Sequence, residues 1–99
     1  MWSLSAEHES TGRVAFRLPP GAIKTIGRAT RADFIVDAAL VSRLHCRLEA
    51  ERDVLHVIDL QSTNGTFVND ARVDRAVLKA GDRLRVGRVE LTISKATIS

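Results

Sequence analysis

Apolar and polar residues alternate along several short stretches of the chain, which is the pattern of β-strands with one buried face. In the two clearest stretches the apolar residues fall at every second position: Val14, Phe16, Leu18, and Cys46, Leu48, Ala50. A third stretch, VLHVIDL at residues 54–60, is apolar at both odd and even positions. That pattern predicts a central strand packed on both faces.

Residues 83–92 predict a hairpin in a definite register. Gly87-Arg88 suits a two-residue type II′ turn, in which the first central residue has a positive φ. With that turn, four apolar side chains share one face as two cross-strand pairs: Val86 with Val89, and Leu84 with Leu91. The other face is then polar and carries Arg83, Arg85, Glu90 and Thr92.

Helical patterning is weak. The segment 70–82 has Val73, Val77 and Leu78 at partly helical spacing, but it is short. The sequence PPG at residues 19–21 breaks the chain between two strand candidates. Many short strands with frequent turn signals, and no linker, repeat or low-complexity segment, predict one all-β domain over residues 1–99, built as a small β-sandwich.

Composition agrees with an ordinary globular domain, since 44% of the 99 residues are hydrophobic and 27% are charged. No apolar run approaches the roughly 18 residues that span a bilayer, so we expect no membrane segment and a cytoplasmic protein, or a nuclear one in a eukaryote. Cys46 is the single cysteine, which excludes an internal disulfide and four-cysteine metal sites. We expect Cys46 in the core, and neither a metal nor a cofactor.

The charge balance leaves room for a phosphate-bearing partner. The net charge is +3, and of the fifteen basic residues only Lys24, Lys79 and Lys95 are lysine, the other twelve being arginine. The planar guanidinium fork suits phosphate oxygens better than the point charge of lysine.

Two loop candidates carry the residue types of an anion site. Gly27 follows a strand end and lets the backbone turn, so that Arg28 leaves the sheet at its rim. In VSRLHC, the Ser42 hydroxyl, nearby N–H groups and the Arg43 guanidinium could form an anion cradle. A catalytic pair of Ser42 or Cys46 with a His45 base lacks an orienting acid and a nucleophile-elbow sequence. A His45 that holds the loop through hydrogen bonds to the backbone fits better.

The third loop is LQSTNGTFVND at residues 60–70, which has more polar residues than a turn requires. Asn64-Gly65 is a turn dipeptide typical of a hairpin tip, since both residues tolerate positive φ. Thr63 and Asn64 add a hydroxyl and an amide, and an amide of this kind can satisfy one N–H and one C=O of an extended peptide. The excess of polar residues therefore indicates a loop that is both a turn and a peptide clamp.

Together the motifs of these three loops identify a protein family more specifically than any one of them does. The order GR, then SRLHC after 13 intervening residues, then STNGTFVN and AGDRLRVG resembles the forkhead-associated (FHA) domain over about residues 23–93. The resemblance implies a β-sandwich of about eleven strands in two sheets, with its binding loops at one end. It also implies a function: phosphothreonine-dependent binding of extended peptides in kinase-linked signalling, without catalysis.

The resemblance assigns roles to eight residues. Those expected to contact the phosphate are Arg28, Ser42, Arg43 and Thr63. Asn64 is expected to hold the peptide main chain, and the loops are expected to be shaped by Gly27, His45 and Gly65. The implied partner is a threonine-phosphorylated protein, modified by an upstream Ser/Thr kinase, and a small pocket for the threonine methyl would favour phosphothreonine over phosphoserine.

Selectivity three residues after the phosphothreonine stays open at this point. The segment Ala38-Ala39-Leu40-Val41 favours an aliphatic side chain there, whereas Arg31, Arg43 or Arg72 would favour an acidic one.

Three other functions compete with this interpretation. A phosphate-independent FHA scaffold is the main alternative. A nucleic-acid binder is suggested by six basic residues between positions 72 and 88, but one tryptophan and no tyrosine leave few side chains for base stacking. A hydrolase using Ser42 or Cys46 is the third.

Overall fold

A computed structural model describes residues 1–9 and 11–96, and in this part of the chain eleven strands form two sheets. In chain order the strands are β1 (Trp2–His8), β2 (Gly12–Leu18), β3 (Ile23–Gly27), β4 (Phe34–Ile35), β5 (Cys46–Ala50), β6 (Leu55–Asp59), β7 (Thr66–Val68), β8 (Ala71–Val73), β9 (Arg75–Leu78), β10 (Arg83–Val86) and β11 (Val89–Lys95).

The first sheet has the strand order β2-β1-β11-β10-β7-β8, and the second has the order β4-β3-β5-β6-β9. Neighbouring strands are antiparallel except β3 and β4, which are parallel. One hydrophobic core lies between the sheets and draws on both, with Leu4 and Leu84 from the first and Leu48 and Leu55 from the second, all 0% exposed. The predicted all-β sandwich of about eleven strands in two sheets is confirmed.

The alternating stretches lie where the sequence predicts. Val14, Phe16 and Leu18 fall in β2, whose intervening Ala15 and Arg17 are exposed. Cys46, Leu48 and Ala50 are all buried in β5, so the core position of Cys46 is confirmed.

The β10–β11 hairpin has the predicted register. Gly87 has a φ of 59° and Arg88 is not among the positive-φ residues, as a type II′ turn requires. The apolar cross-strand pairs Val86–Val89 and Leu84–Leu91 form, and all four side chains are 0% exposed.

The expectation of two-sided packing at residues 54–60 is wrong. β6 is an interior strand between β5 and β9, as predicted, and Leu55 and Val57 are fully buried. His56 and Ile58, on its other face, are only half-buried. A sandwich of two layers has no third layer to cover the outer face of a sheet, so one set of side chains stays partly in solvent.

The weak helical spacing at residues 70–82 does not produce a helix. Asn69 and Asp70 have φ values of 49° and 70° and form the turn between β7 and β8. The chain then enters β8 in the first sheet and β9 in the second. No helix in residues 1–9 and 11–96 is long and apolar enough to cross a membrane.

Candidate functional site

Loops from both sheets gather at one end of the sandwich. The loop after β3 is tied to the loop before β5 by two backbone hydrogen bonds, from Arg28 N–H to Ser42 O (2.9 Å) and from Ala29 N–H to Arg43 O (3.1 Å). The His45 N–H also donates to Ile26 O at 2.7 Å. These bonds hold Arg28, Ser42 and Arg43 in one fixed arrangement.

Gly27 permits this close approach of two backbone segments. A Cβ at this position would stand 1.9 Å from the carbonyl oxygen of Arg43 and 2.7 Å from its carbonyl carbon. Backbone atoms cannot move aside as the end of a side chain can, so only glycine fits.

The five residues expected to contact ligand surround one depression of about 460 Å³. Its lining consists of Arg28, Ala39, Leu40, Val41, Ser42, Arg43, Thr63 and Asn64. The structure therefore brings together side chains from three separate loops, which sequence alone could connect only through the FHA resemblance.

The backbone N–H, the carbonyl oxygen and the Oγ of Ser42 all form hydrogen bonds within the protein, and only its hydroxyl hydrogen has no partner among the described residues. Its N–H donates to His45 Nδ1 (3.0 Å), its carbonyl accepts from Arg28, and its Oγ accepts from the N–H of Thr63 (3.1 Å). Because Oγ already accepts a hydrogen bond, the hydroxyl hydrogen stays available to donate to an anion in the depression.

His45 is 0% exposed and braces two of the loops. Nδ1 accepts from Ser42, so the ring proton lies on Nε2, which donates to the carbonyl of Gly65 at 2.8 Å. Burial lowers the pKa of His45 below its ordinary value of 6.5, although the Gly65 carbonyl and the Asp59 carboxylate oppose this shift. A neutral imidazole with both nitrogens engaged is a structural link between the loops.

Arg28 and Arg43 supply positive charge to the depression. Both residues are exposed, and neither guanidinium forms a hydrogen bond or ion pair within the described ranges of the chain. Two unneutralised guanidinium groups next to a hydroxyl donor form a site for an anion with several acceptor oxygens, such as a phosphate.

The third loop is not the tip of a hairpin, contrary to the sequence prediction. It carries the chain from β6 in one sheet to β7 in the other. Only Gly65 of the turn dipeptide has a positive φ, 90°, while Asn64 does not. Asn64 Nδ2 instead donates to the carbonyl of Leu40 at 3.0 Å, across the depression. This bond leaves Oδ1 and the second Nδ2 hydrogen of Asn64 for a ligand.

A buried polar cluster behind this loop was not found from the sequence. Asp59 Oδ1 accepts from the hydroxyls of Ser62 (2.5 Å) and Thr66 (2.7 Å), and Gly65 N–H donates to Ser62 Oγ (3.0 Å). Burial alone would raise the pKa of Asp59, but the hydrogen bonds from Ser62 and Thr66 outweigh it and lower the pKa. The three-residue spacing of Asp59 and Ser62, typical of side-chain-to-backbone turns, was the signal available.

This cluster explains much of the excess of polar residues in the loop. Ser62 and Thr66 are buried and serve the fold, and Asn69 lies in the β7–β8 turn. Thr63 and Asn64 are the exposed members that line the depression.

Ser42, His45 and Cys46, the residues of the possible hydrolase, do not have the geometry of a catalytic site. His45 Nδ1 faces the backbone N–H of Ser42 rather than its hydroxyl. Cys46 is 0% exposed, and burial raises the pKa of its thiol to about 12, so it stays protonated and out of reach of a substrate.

The basic residues between positions 72 and 88 do not form one continuous surface. Strand register places Arg72 and Arg85 on the outer face of the first sheet, whereas Arg75 lies opposite Ile58 on the outer face of the second. Three of the six basic residues, Arg72, Arg83 and Arg85, thus share the outer face of the first sheet, and Arg75 is separated from them on the second.

Two facing sheets with a basic, hydroxyl-bearing depression at one end define a small β-sandwich domain that binds through its loops. The chain belongs to the FHA domain family, whose sequence model matches residues 24–87.

Similar proteins agree with this assignment. The chain is 41% identical over 88 residues to the ABC transporter ATP-binding/permease protein Rv1747 of Mycobacterium tuberculosis, covering 89% of this chain and 10% of that protein. A solved structure described as a study of phosphothreonine-dependent FHA domain interactions superposes with a TM-score of 0.87 at 32% identity, covering 98% of each chain. The FhaA FHA domain complexed with the intracellular domain of Rv3910 has a TM-score of 0.83 at 33% identity, covering 94% of this chain and 99% of that one.

The chain spans between a tenth and less than half of the length of the curated relatives it matches first.

Proposed function

We propose that this domain is a phosphothreonine-dependent protein interaction module, which binds extended phosphopeptides through the depression at the loop end of the sandwich. The observation that carries the proposal is the convergence of two unpaired guanidinium groups, Arg28 and Arg43, with the free hydroxyl hydrogen of Ser42. A phosphothreonine supplies about −1.5 to −2 charges and three acceptor oxygens to match them.

Each site residue has a role under this proposal. Arg28 and Arg43 hold the phosphate through charge-assisted hydrogen bonds, Ser42 donates its hydroxyl to a phosphate oxygen, and Thr63 adds a polar contact. Asn64 offers Oδ1 and one Nδ2 hydrogen to the peptide main chain. The residues that shape the loops without contacting ligand are Gly27, His45 and Gly65.

The expected affinity is moderate. Hydrogen bonds to charged groups contribute roughly 1.5–3 kcal/mol each, so three or four of them discriminate strongly against unphosphorylated threonine. The rest of an extended peptide adds little area, and ordering it costs entropy, so we expect a Kd of about 1 μM.

The apolar part of the depression supports two selectivity proposals. Ala39 and Val41 provide an apolar wall for the threonine methyl, which favours phosphothreonine over phosphoserine. Leu40 is 47% exposed at the same rim, which supports an aliphatic preference at the third residue after the phosphothreonine. An oriented phosphothreonine peptide library tests the second point, and enrichment of Asp or Glu at that position would count against it.

The partner follows from the same chemistry. A solved relative forms its complex with an intracellular domain of another protein. We propose that this chain binds a threonine-phosphorylated protein in the cytoplasm, where Ser/Thr kinases act, and that residues 1–99 form one domain without catalytic activity. The orientation of His45 and the burial of Cys46 support the absence of a nucleophile.

The proposal is tested with degenerate peptide pools that carry phosphothreonine, phosphoserine or unmodified threonine, titrated into the wild type and the Arg28→Ala variant. We expect binding to the phosphothreonine pool alone, weakened about 10- to 100-fold in the variant. Equal binding to all three pools would indicate a phosphate-independent scaffold instead.

A further inference from the structure

Three side chains form a row on the outer face of the first sheet, across β10, β7 and β8. Arg85 pairs with Phe67 in the β10–β7 register, and Phe67 pairs with Arg72 in the β7–β8 register. The Arg85 guanidinium stacks over the Phe67 ring, with Cζ 4.1 Å from the ring centroid. We call these residues the Arg72–Phe67–Arg85 row.

The guanidinium groups of this row are not neutralised. In the part of the chain that the structure describes, Arg72 and Arg85 form no ion pair. Glu90 lies opposite Arg85 in the β10–β11 register, but its carboxylate pairs with Arg83 at 3.8 Å. An arginine stacked on an aromatic ring keeps its N–H donors at the edge of the guanidinium plane, and stacking limits the rotamer entropy lost on binding.

The row reaches the loop end of the sandwich. An ideal Cβ on Gly65 would stand 2.8 Å from Arg72 Nε and 3.0 Å from Arg72 Cζ, so the Arg72 side chain lies directly over Gly65. Gly65 is the neighbour of Asn64, which lines the depression. Basic surface therefore continues from the depression past Asn64 onto the face of the first sheet.

We propose that the Arg72–Phe67–Arg85 row is a second binding site for the same partner, which takes Asp or Glu carboxylates on the flank of the phosphothreonine that passes Asn64. This inference rests on the proposed function. Each guanidinium fork matches a carboxylate in bidentate geometry, and the methylene stem of Arg72 offers apolar contact to the side chains between the carboxylates.

The spacing suits a short peptide. Adjacent strands lie about 4.8 Å apart, so the backbones at Arg72 and Arg85 are about 10 Å from each other. The Arg85 guanidinium lies over Phe67, and the Arg72 side chain lies over Gly65. An extended peptide advances about 3.3 Å per residue, so an acidic stretch only a few residues long covers the row.

The test compares three phosphothreonine peptides with the same core, which extends to the third residue after the phosphothreonine: one with alanine on both sides of the core, one with glutamates before the core, and one with glutamates after it. Each is titrated into the wild type, Arg72→Gln/Arg85→Gln and the control Arg17→Gln/Arg75→Gln. The control removes two exposed arginines outside the row, one on β2 and one on the outer face of the second sheet, so the net charge changes equally.

We expect one of the two glutamate peptides to bind the wild type about three- to tenfold more tightly than the alanine peptide. Arg72→Gln/Arg85→Gln removes this gain and leaves binding of the alanine peptide unchanged, which also shows that the variant is folded. The control double variant keeps the gain.

Three results overturn the inference while the proposed function stands: no gain for either glutamate peptide, equal gains for both, or the same loss in the two double variants. Failure of the alanine peptide to bind the wild type would contradict the proposed function itself.

Discussion

Of the six glycines, Gly27 is the one at which the structure leaves least room for a side chain. Its hydrogen faces the carbonyl of Arg43, and a methyl group would overlap that oxygen at 1.9 Å. We predict that Gly27→Ala lowers the free energy of unfolding by about 2–4 kcal/mol, because one of two hydrogen-bonded backbone segments must shift. Phosphopeptide affinity should fall with it, since the same segments carry Arg28 and Ser42.

Urea denaturation followed by fluorescence of Trp2 measures this loss, since Trp2 is the single tryptophan and is 1% exposed. Gly81→Ala is the matched control. Unlike Gly27, Gly81 has a φ that is strained for other residues, 93°, but a Cβ there meets nothing within 4 Å. The control should lose only about 1 kcal/mol and keep its affinity, and an equally large loss of affinity would contradict the steric account.

His45 makes the stability of the loops depend on pH. Its folded pKa lies below the unfolded value of 6.5, mainly because of burial, so the unfolded chain takes up a proton first as the pH falls. The stability from neutral His45 is therefore complete above pH 6.5 and is lost as the pH falls through the folded pKa. Protonation would also place a hydrogen on Nδ1 against the N–H of Ser42.

We predict a lower free energy of unfolding at about pH 5.5 than at about pH 8, by at most about 1.4 kcal/mol, the limit for one proton taken up over one pH unit below 6.5. Stability is the appropriate measurement because the phosphate of the ligand itself titrates near pH 6. His45→Asn should be less stable at both pH values and lose most of this difference, whereas His56→Gln, at a half-buried position on the outer face of β6, should keep it. A wild type with no pH dependence would show that His45 does not titrate in this range.

At the scale of single residues, the sequence predicted the members of the candidate site better than the contacts that hold them. Arg28, Ser42 and Asn64 belong to family motifs with fixed spacing. Leu40 carries no comparable signal, yet it adopts a φ of 72° and its carbonyl accepts from Asn64. Nothing in its local sequence demands that conformation; a partner 24 residues away helps to hold it.

At the scale of elements, the conformation of the loop between β6 and β7 depends on the hydrogen bonds that Asp59 accepts from Ser62 and Thr66. We predict that Asp59→Asn lowers the free energy of unfolding by about 2 kcal/mol, because the new amide places a donor against another donor, the hydroxyl or N–H of Ser62. Phosphopeptide affinity should fall about three- to tenfold, since the cluster positions Gly65 and hence Asn64.

Parallel denaturation and peptide titration of Asp59→Asn and Asp74→Asn measure these effects. Asp74 is exposed and only its backbone carbonyl is used, as the acceptor for Asp59 N–H. The control should match the wild type in both measurements. Stability lost in Asp59→Asn with affinity fully kept would show that the cluster does not position the loop.

Strands were predicted correctly where the local pattern of apolar and turn residues determines the structure. In the β10–β11 hairpin, period-two alternation and the Gly87-Arg88 turn specify one register. In residues 70–82 the apolar positions show only weak helical spacing. The structure of this segment is instead determined by pairing with strands distant in sequence, since β9 pairs with β6 in the second sheet. The interior position of β6 was predictable. Its apolar residues at both odd and even positions indicated cover on both faces, although the predicted two-layer sandwich covers only one face of each sheet.

At the scale of the whole molecule, the first strand, β1, pairs with the last strand, β11. β1 lies between β2 and β11, with Trp2 opposite Lys95, and Ala96 N–H donates to Met1 O at 2.9 Å. The region that matches the family model, residues 24–87, lacks all three of these strands. A fragment of residues 24–87 would lose half of the first sheet together with buried Trp2, Leu4, Leu18 and Ile93.

We therefore predict that the fragment of residues 24–87 does not fold cooperatively, whereas the full chain unfolds in a single transition. Burying each large apolar side chain contributes about 1.5–3 kcal/mol, so the loss of these four is comparable with the whole stability of a domain this small, about 5–15 kcal/mol. Circular dichroism and amide proton dispersion of the two proteins provide the comparison. A folded fragment would show that the terminal strands are dispensable.

The most direct measurement is an NMR titration of the ¹⁵N-labelled domain with one phosphothreonine peptide selected from the pools, and with its unphosphorylated form. We predict large amide shifts at Arg28, Ser42, Arg43, Thr63 and Asn64 with the phosphopeptide only, and little change at the distant turn around Gly81. Shifts of equal size with both peptides, or shifts centred on the outer faces of the sheets instead of the loop end, would contradict phosphothreonine recognition at this site.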